Sequence, residues 1–373
     1  MVVWREFVWC RVPGVPFFSV SIVTLGAGKK MTTSPFVMLG FILAVEYALS
    51  AFVVHVISPP PGLAEPFWDV PEWIWRSVSL LAVVASLSYA VTFHWKIAPK
   101  IAALEAKLEG GQLIGLSDVS LGPQYLRNLK SILWLFHHFT LGIFGIYFGF
   151  WPTVAFSFAI LLVVMALDNL TNDGGAFNFI QLKSIGVSVP QGYFYTYFAM
   201  LLAIMGTVFA ASTHCKGVVP YYDLYLVIKI AAGLGFAEML FYPGHYALHR
   251  IPALAKLHAI HHSFKVGSFM QSILVHPLDL VIEFSMPQVG IQILCLSLND
   301  PWWFVCMIGS MNVWYGCSHD DNLDLDHNNH HKKTDNDYFL YSGIKTRNPE
   351  KDQVRPLLVA GLASASGEKT KPE

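Results

Sequence analysis

Charge is scarce in this 373-residue chain: 13% of its residues are Asp, Glu, Lys or Arg, against roughly 25% in ordinary soluble domains. With 54% hydrophobic residues and a mean hydropathy of +0.49, that scarcity excludes a typical soluble enzyme. Excess charge of either sign is also missing. The 24 Lys and Arg nearly balance the 25 Asp and Glu, for a formal charge of -1. Nucleic acid is therefore not an expected partner, and the composition is not that of a disordered chain. The cysteines (Cys10, Cys215, Cys295, Cys306 and Cys317) form no C-x-x-C pair, which argues against a disulfide framework or a zinc ribbon. They read as buried thiols. No internal repeat is evident, and only the tail from Ala360 has a disordered composition.

The sequence does have long apolar runs, and a bilayer-spanning helix needs about 20 such residues. Spans are expected near 35–57, 74–95, 131–150, 153–167, 193–212 and 221–242. A last pair at 280–298 and 302–314, broken by Pro287 and Asn299-Asp300-Pro301, reads as a re-entrant hairpin. Basic residues orient the ladder, since Lys and Arg collect in short cytosolic loops. They occur at Arg5, Arg11, Lys29 and Lys30, are absent from 58–73, and return between Lys96 and Lys130. This predicts cytosolic termini, with residue 243 emerging on the cytosolic side. The stretch Phe17–Ala27 reads as a signal-like segment or interfacial anchor. Residues 101–109, before Gly110-Gly111, read as a short surface helix in a loop. The expected organisation is an N-terminal segment 1–34, a transmembrane region 35–212, a histidine-rich domain 213–345 and a cytosolic tail 346–373.

The chemistry lies in the histidines. Ten of the 15 fall between His245 and His331, in groups: His245 and His249; His258, His261 and His262; His327, His330 and His331. Spacings of i, i+3 and i+4 put imidazoles on one helix face, aimed at a common point. An H-x-x-H-H pattern arises by chance roughly 0.02 times in such a chain, so two copies argue for selection of the pattern. One metal ion usually saturates at about four protein ligands, so eight to ten histidines point to a pair of ions. Imidazole suits several metals. The position beside an apolar interior favours iron and oxygen chemistry on a lipid C–H bond. Glu238, two helical turns before His245, and Asp279 are the candidate catalytic carboxylates, placed to orient imidazoles by accepting their outer N–H. For His55, His94, His137, His138 and His214 a structural role is the simpler reading.

Glu238, Phe241-Tyr242-Pro-Gly-His245-Tyr-Ala-Leu-His249-Arg250, His258-Ala-Ile-His261-His262-Ser263, His276-Pro277-Leu-Asp279 and His327-Asn-Asn-His330-His331 together resemble the fatty acid hydroxylase superfamily. This membrane di-iron group includes sterol C-4 methyl oxidases, sterol C-5 desaturases and lipid hydroxylases. The resemblance covers roughly residues 221–345. It implies an all-α, polytopic integral membrane bundle with a cytosolic histidine-rich di-metal cap. It further implies a di-iron cofactor, O2 as co-substrate, a lipid substrate, and electrons from a cytochrome b5-type donor fed by a nicotinamide-dependent reductase. Carried over by position, the metal ligands are His245, His249, His258, His261, His262, His327, His330 and His331. His276 matches a His-Pro pair ahead of a carboxylate, and His319 matches the extra histidine upstream of the last box. The sequence departs from the family pattern at Tyr246, where Arg is usual, at Asp279, where Glu is common, and in the short gap from His319 to His327. The ending Lys369-Thr-Lys371-Pro-Glu373 resembles a dilysine retrieval signal, which points to the endoplasmic reticulum.

Overall fold

The computed structural model describes residues 71–110, 123–171, 174–215, 218, 221, 223–263, 273–319, 327, 330, 331 and 352–358. The expected span at 35–57, the N-terminal segment and the acidic run from Asp320 to Asp326 lie outside the described residues. The described residues are helical and contain no strand. The helices are α1 Glu72–Glu109, α2 Gln124–Phe148, α3 Phe150–Thr171, α4 Gly174–Ser184, α5 Val189–His214, α6 Leu224–Arg250 and α7 Pro252–His261. After them come α8 Pro277–Leu280, a π-helical turn Val281–Ser285, α9 Met286–Ser297 and α10 Pro301–Ser318. Four segments are long and apolar enough to cross a bilayer: Phe150–Leu167, Val189–His214, Leu224–Arg250 and Pro277–Ser297. A fifth is α2, if its halves Tyr125–His138 and Thr140–Phe148, bent by 46°, count as one span. Length and composition thus make this an integral membrane protein.

Expectations change in two places. Residues 101–109 are not a separate surface helix in a loop, because α1 runs unbroken through Pro99 for 38 residues. At 1.5 Å per residue it is about 57 Å long, yet it is not among the described helices long and apolar enough to cross a bilayer, so the span expected near 74–95 is not met. The second change concerns the final hairpin. Its first arm, Pro277–Ser297, has 21 residues, about 31 Å of helix, enough to cross rather than dip. Its tip is built for reversal. Asn299 takes φ 54°, a left-handed conformation that Asn tolerates, and Asp300 N–H bonds back to Cys295 O at 2.9 Å, which closes the helix in a Schellman-type turn. Asp300 Oδ1 then accepts the Trp303 N–H at 3.0 Å and caps α10.

Contacts at helix ends set the directions. At one end Asp300 Oδ2 takes the Lys229 ammonium and the Tyr221 hydroxyl, each at 2.6 Å, Trp302 Nε1 donates to Tyr221 O, and Cys215 Sγ lies 3.6 Å from Pro301 O. Helix α6 therefore starts at the level where the hairpin turns, and α6 and α10 run side by side to the opposite end, where the histidines are. Their close approach uses Gly233, whose missing Cβ leaves room for Met307. The core between these helices is apolar, with Leu234, Ala237, Ile291, Trp302, Met307 and Ile308 buried. A second apolar core lies among α2 to α5, around Leu141, Phe158, Leu161, Phe179 and Val208.

Candidate metal centre

Local sequence aims the first two boxes at each other. His245 and His249 occupy one face of the last turns of α6. The residue before a proline is held extended, and Ile251, at φ -91° and ψ 115°, breaks the chain there so that Pro252 opens α7 in its first turn. Helix α7 then returns with His258, His261 and the capping His262 against α6. Helix α10 delivers His319, and His327, His330 and His331 close the cluster. All nine imidazoles are at most 2% exposed.

They divide into two sets. Ligand nitrogens of His245, His249, His258 and His262 lie within 4.8 Å of one another, and so do those of His261, His319, His327 and His331. His330 joins the first set, its Nε2 3.1 Å from His249 Nε2. A third group comprises His258, Asp279 and Glu283.

The outer nitrogens fix the tautomers. His261 Nδ1 lies 3.2 Å from Leu274 O, and His319 Nδ1 lies 2.8 Å from Tyr315 O. A carbonyl only accepts, so both Nδ1 atoms carry the proton and both Nε2 atoms present lone pairs. Those two Nε2 atoms are 3.3 Å apart. Burial keeps the rings neutral: it pushes the His261 imidazole well below its usual range, with neighbouring imidazoles adding to the effect, and lowers His319 to about 4. The Tyr315 hydroxyl reaches His261 Nε2 only at 3.5 Å, and two buried lone pairs facing at the shorter distance repel, a repulsion that a cation between them would relieve. For a metal–nitrogen bond of about 2.1 Å, adjacent ligand nitrogens stand about 3.0 to 3.4 Å apart. The donor set therefore fits a metal ion.

The same outer bonding recurs in the first set. His258 Nδ1 donates to Asp279 Oδ2 at 3.0 Å, and His249 Nδ1 donates to Asp352 Oδ1 at 3.1 Å. The freed Nε2 atoms of both rings face His262 Nε2, each at 3.1 Å. Burial also holds His262, His327 and His331 well below the usual imidazole range, and takes His330 to about 3.

Of the residues singled out from sequence, nine histidines and Asp279 come together here. His276 stands apart. It is the N-cap of α8, its Nδ1 accepting the Leu278 N–H at 3.1 Å, and its ring packs on Tyr195. Its contribution is to start the turn that carries Asp279. Glu238 is buried two turns below His245 and falls outside all three groups. The sequence reading missed Glu283 and Asp352. Glu283 had a signal, a carboxylate inside an apolar run that a membrane helix does not carry without a use. Asp352 had none in its own neighbourhood.

Fold and site together define a polytopic helical membrane protein with paired, buried histidine clusters that could hold metal at one end of its bundle. In agreement, residues 230–344 match the family model described as fatty acid hydroxylase, consistent with the fatty acid hydroxylase superfamily. Comparison with curated proteins and with solved structures gave no match.

Proposed function

We propose that this protein is a membrane-bound di-iron oxygenase that hydroxylates, or by the same opening step desaturates, a lipid such as a sterol or fatty acyl chain. Two iron ions held by the two histidine sets would supply the reductive activation of O2 needed to attack an unactivated C–H bond. The chain's own residues hold the ligands and exclude water. Asp279, Asp352 and the Leu274 and Tyr315 carbonyls keep the Nδ1 protons outward, and so hold the Nε2 lone pairs inward. Such outer partners commonly carry about 10 to 100-fold of metal affinity or activity. The site lies where α6, the Pro277–Ser297 arm and α10 meet, so a lipid chain entering from the bilayer meets the ions at the end of an apolar bundle. Electrons would come from a cytochrome b5-type donor and its nicotinamide-dependent reductase. The basic loops favour a cytosolic position for the histidine cluster.

The observation that carries this reading is the pair of facing Nε2 lone pairs on His261 and His319. The test is metal content of the detergent-purified protein beside a His261→Ala, His330→Ala double variant, followed by lipid analysis under isotopically labelled O2. About two metal ions per chain, lost in the double variant, with label entering a lipid, is the expected result. Absence of metal from both proteins would overturn it.

A further inference from the structure

Glu283 is fully buried, at 0% exposure, and neither carboxylate oxygen has a hydrogen-bond partner among the described residues. A carboxylate removed from water in this way is costly unless a cation compensates it. The neighbours of Oε1 and Oε2 are His245 Nε2 and His258 Nδ1, each at 3.9 Å. His258 has already given its Nδ1 proton to Asp279. Asp279 is the third neighbour, its ligand oxygen within 4.8 Å of that of Glu283, and two buried acids side by side need either a shared proton or a cation.

The backbone around it is unusual. Val281–Ser285 is a π-helical turn, with the Met286 N–H bonded to Val281 O. Turns of this kind concentrate at functional sites because they re-aim a side chain. This one presses on α6 where a Cβ on Gly244 would lie 3.1 Å from Ile282 O. The close approach brings Glu283 beside His245 rather than leaving it toward lipid.

Resting on the metal-centre reading above, we propose that Glu283 is an oxygen ligand of the first histidine set, which makes the two ion positions chemically unequal. Two donors on one ion stand between about 3 Å apart when adjacent and about 4.2 Å when opposite. The 3.9 Å from His245 Nε2 to Glu283 Oε1 falls inside that range. The first set with Glu283 beside His245 and His258 then offers one ion mixed nitrogen and oxygen donors. His261, His319, His327 and His331 offer the other ion nitrogen alone and leave it positions open to small molecules.

The full chain in lipid nanodiscs, loaded anaerobically with Mössbauer-active ferrous iron alone, provides the test. Wild type is expected to give two quadrupole doublets of equal area. Glu283→Gln, which keeps shape and removes charge, is expected to retain about one ion per chain under a chelator concentration at which wild type keeps about two. It should also alter one doublet and spare the other. If Glu283→Gln does not fold, Glu283→Asp and the wild-type spectrum decide. A single doublet for both ions in wild type, or full retention of both ions by the Gln variant, overturns the assignment and leaves Glu283 as a proton-sharing partner of Asp279. If wild type takes up no iron, the metal-centre reading falls together with this one. Retention of two ions by the Gln variant removes Glu283 alone.

Discussion

An imidazole whose Nδ1 proton is committed to an acceptor has only its Nε2 lone pair left to offer, and burial keeps it uncharged. His319, lowered to about 4 by burial, and His330, lowered to about 3, therefore fold in the neutral form. The consequence for the metal-free protein has a definite sign. In the unfolded chain these rings titrate near 6.5. Between that pH and the depressed folded values, the unfolded state binds more protons. The stability they contribute is thus complete above about 6.5 and is lost as pH falls toward 4, at up to about 1.4 kcal/mol per pH unit for each ring. A metal-stripped sample should show a steady fall in its thermal midpoint from pH 6.5 to 4 by scanning fluorimetry. A flat profile over that interval would mean that the rings are already protonated, or reach water, in the folded state.

At the scale of elements, the site depends on two backbone irregularities, the break at Ile251-Pro252 and the π turn at Val281–Ser285. Gly244 couples the second to α6. A methyl group there would sit 3.1 Å from both Ile282 O and Ile282 Cγ2, tighter than ordinary van der Waals contact. The backbone of the π turn must then move. Gly→Ala inside a helix is intrinsically favourable by about 1 kcal/mol, so Gly244→Ala should leave the melting of metal-free protein unchanged or raised. The same variant should weaken iron retention by a few-fold, read by chelator titration. Equal losses in both measurements would point to a general packing defect instead.

These elements also show what the sequence could reveal. The histidine boxes were legible because α-helical periodicity turns spacing into direction, and α6, α7 and the last box keep that periodicity. Asp279 was legible as the carboxylate after His276-Pro277. Glu283 was legible only as a lone carboxylate in an apolar run, because the π turn abandons the period that would have shown where it points. The unbroken α1 was obscured by Pro99 and by charges that do not mark a helix end.

For the whole molecule, the bundle is fastened at both ends. Lys229, Tyr221 and Asp300 tie the hairpin tip to the start of α6, and the histidines tie the other end. The second fastening includes a segment beyond the matched family region. Asp352 Oδ1 takes the His249 Nδ1 proton and also the Val354 N–H at 2.9 Å, while the Gln353 N–H donates to His249 O at 2.9 Å. Val354 and Leu358 are buried against Ala255 and Ala259 of α7. His249 is thus gripped at ring and backbone by residues about a hundred positions later. No local pattern marks such a partner, since only tertiary docking brings it in. Ending the chain after residue 351 removes this grip but leaves all nine clustered histidines in place. The shortened protein should insert and stay monodisperse, yet lose metal about 10 to 100-fold more readily. Asp352→Asn, which keeps the docked segment but weakens the charge-assisted bond, should fall between it and wild type in a chelator titration. If both variants hold metal as wild type does, His249 is oriented by its own helix, and the tail serves only to cover α7.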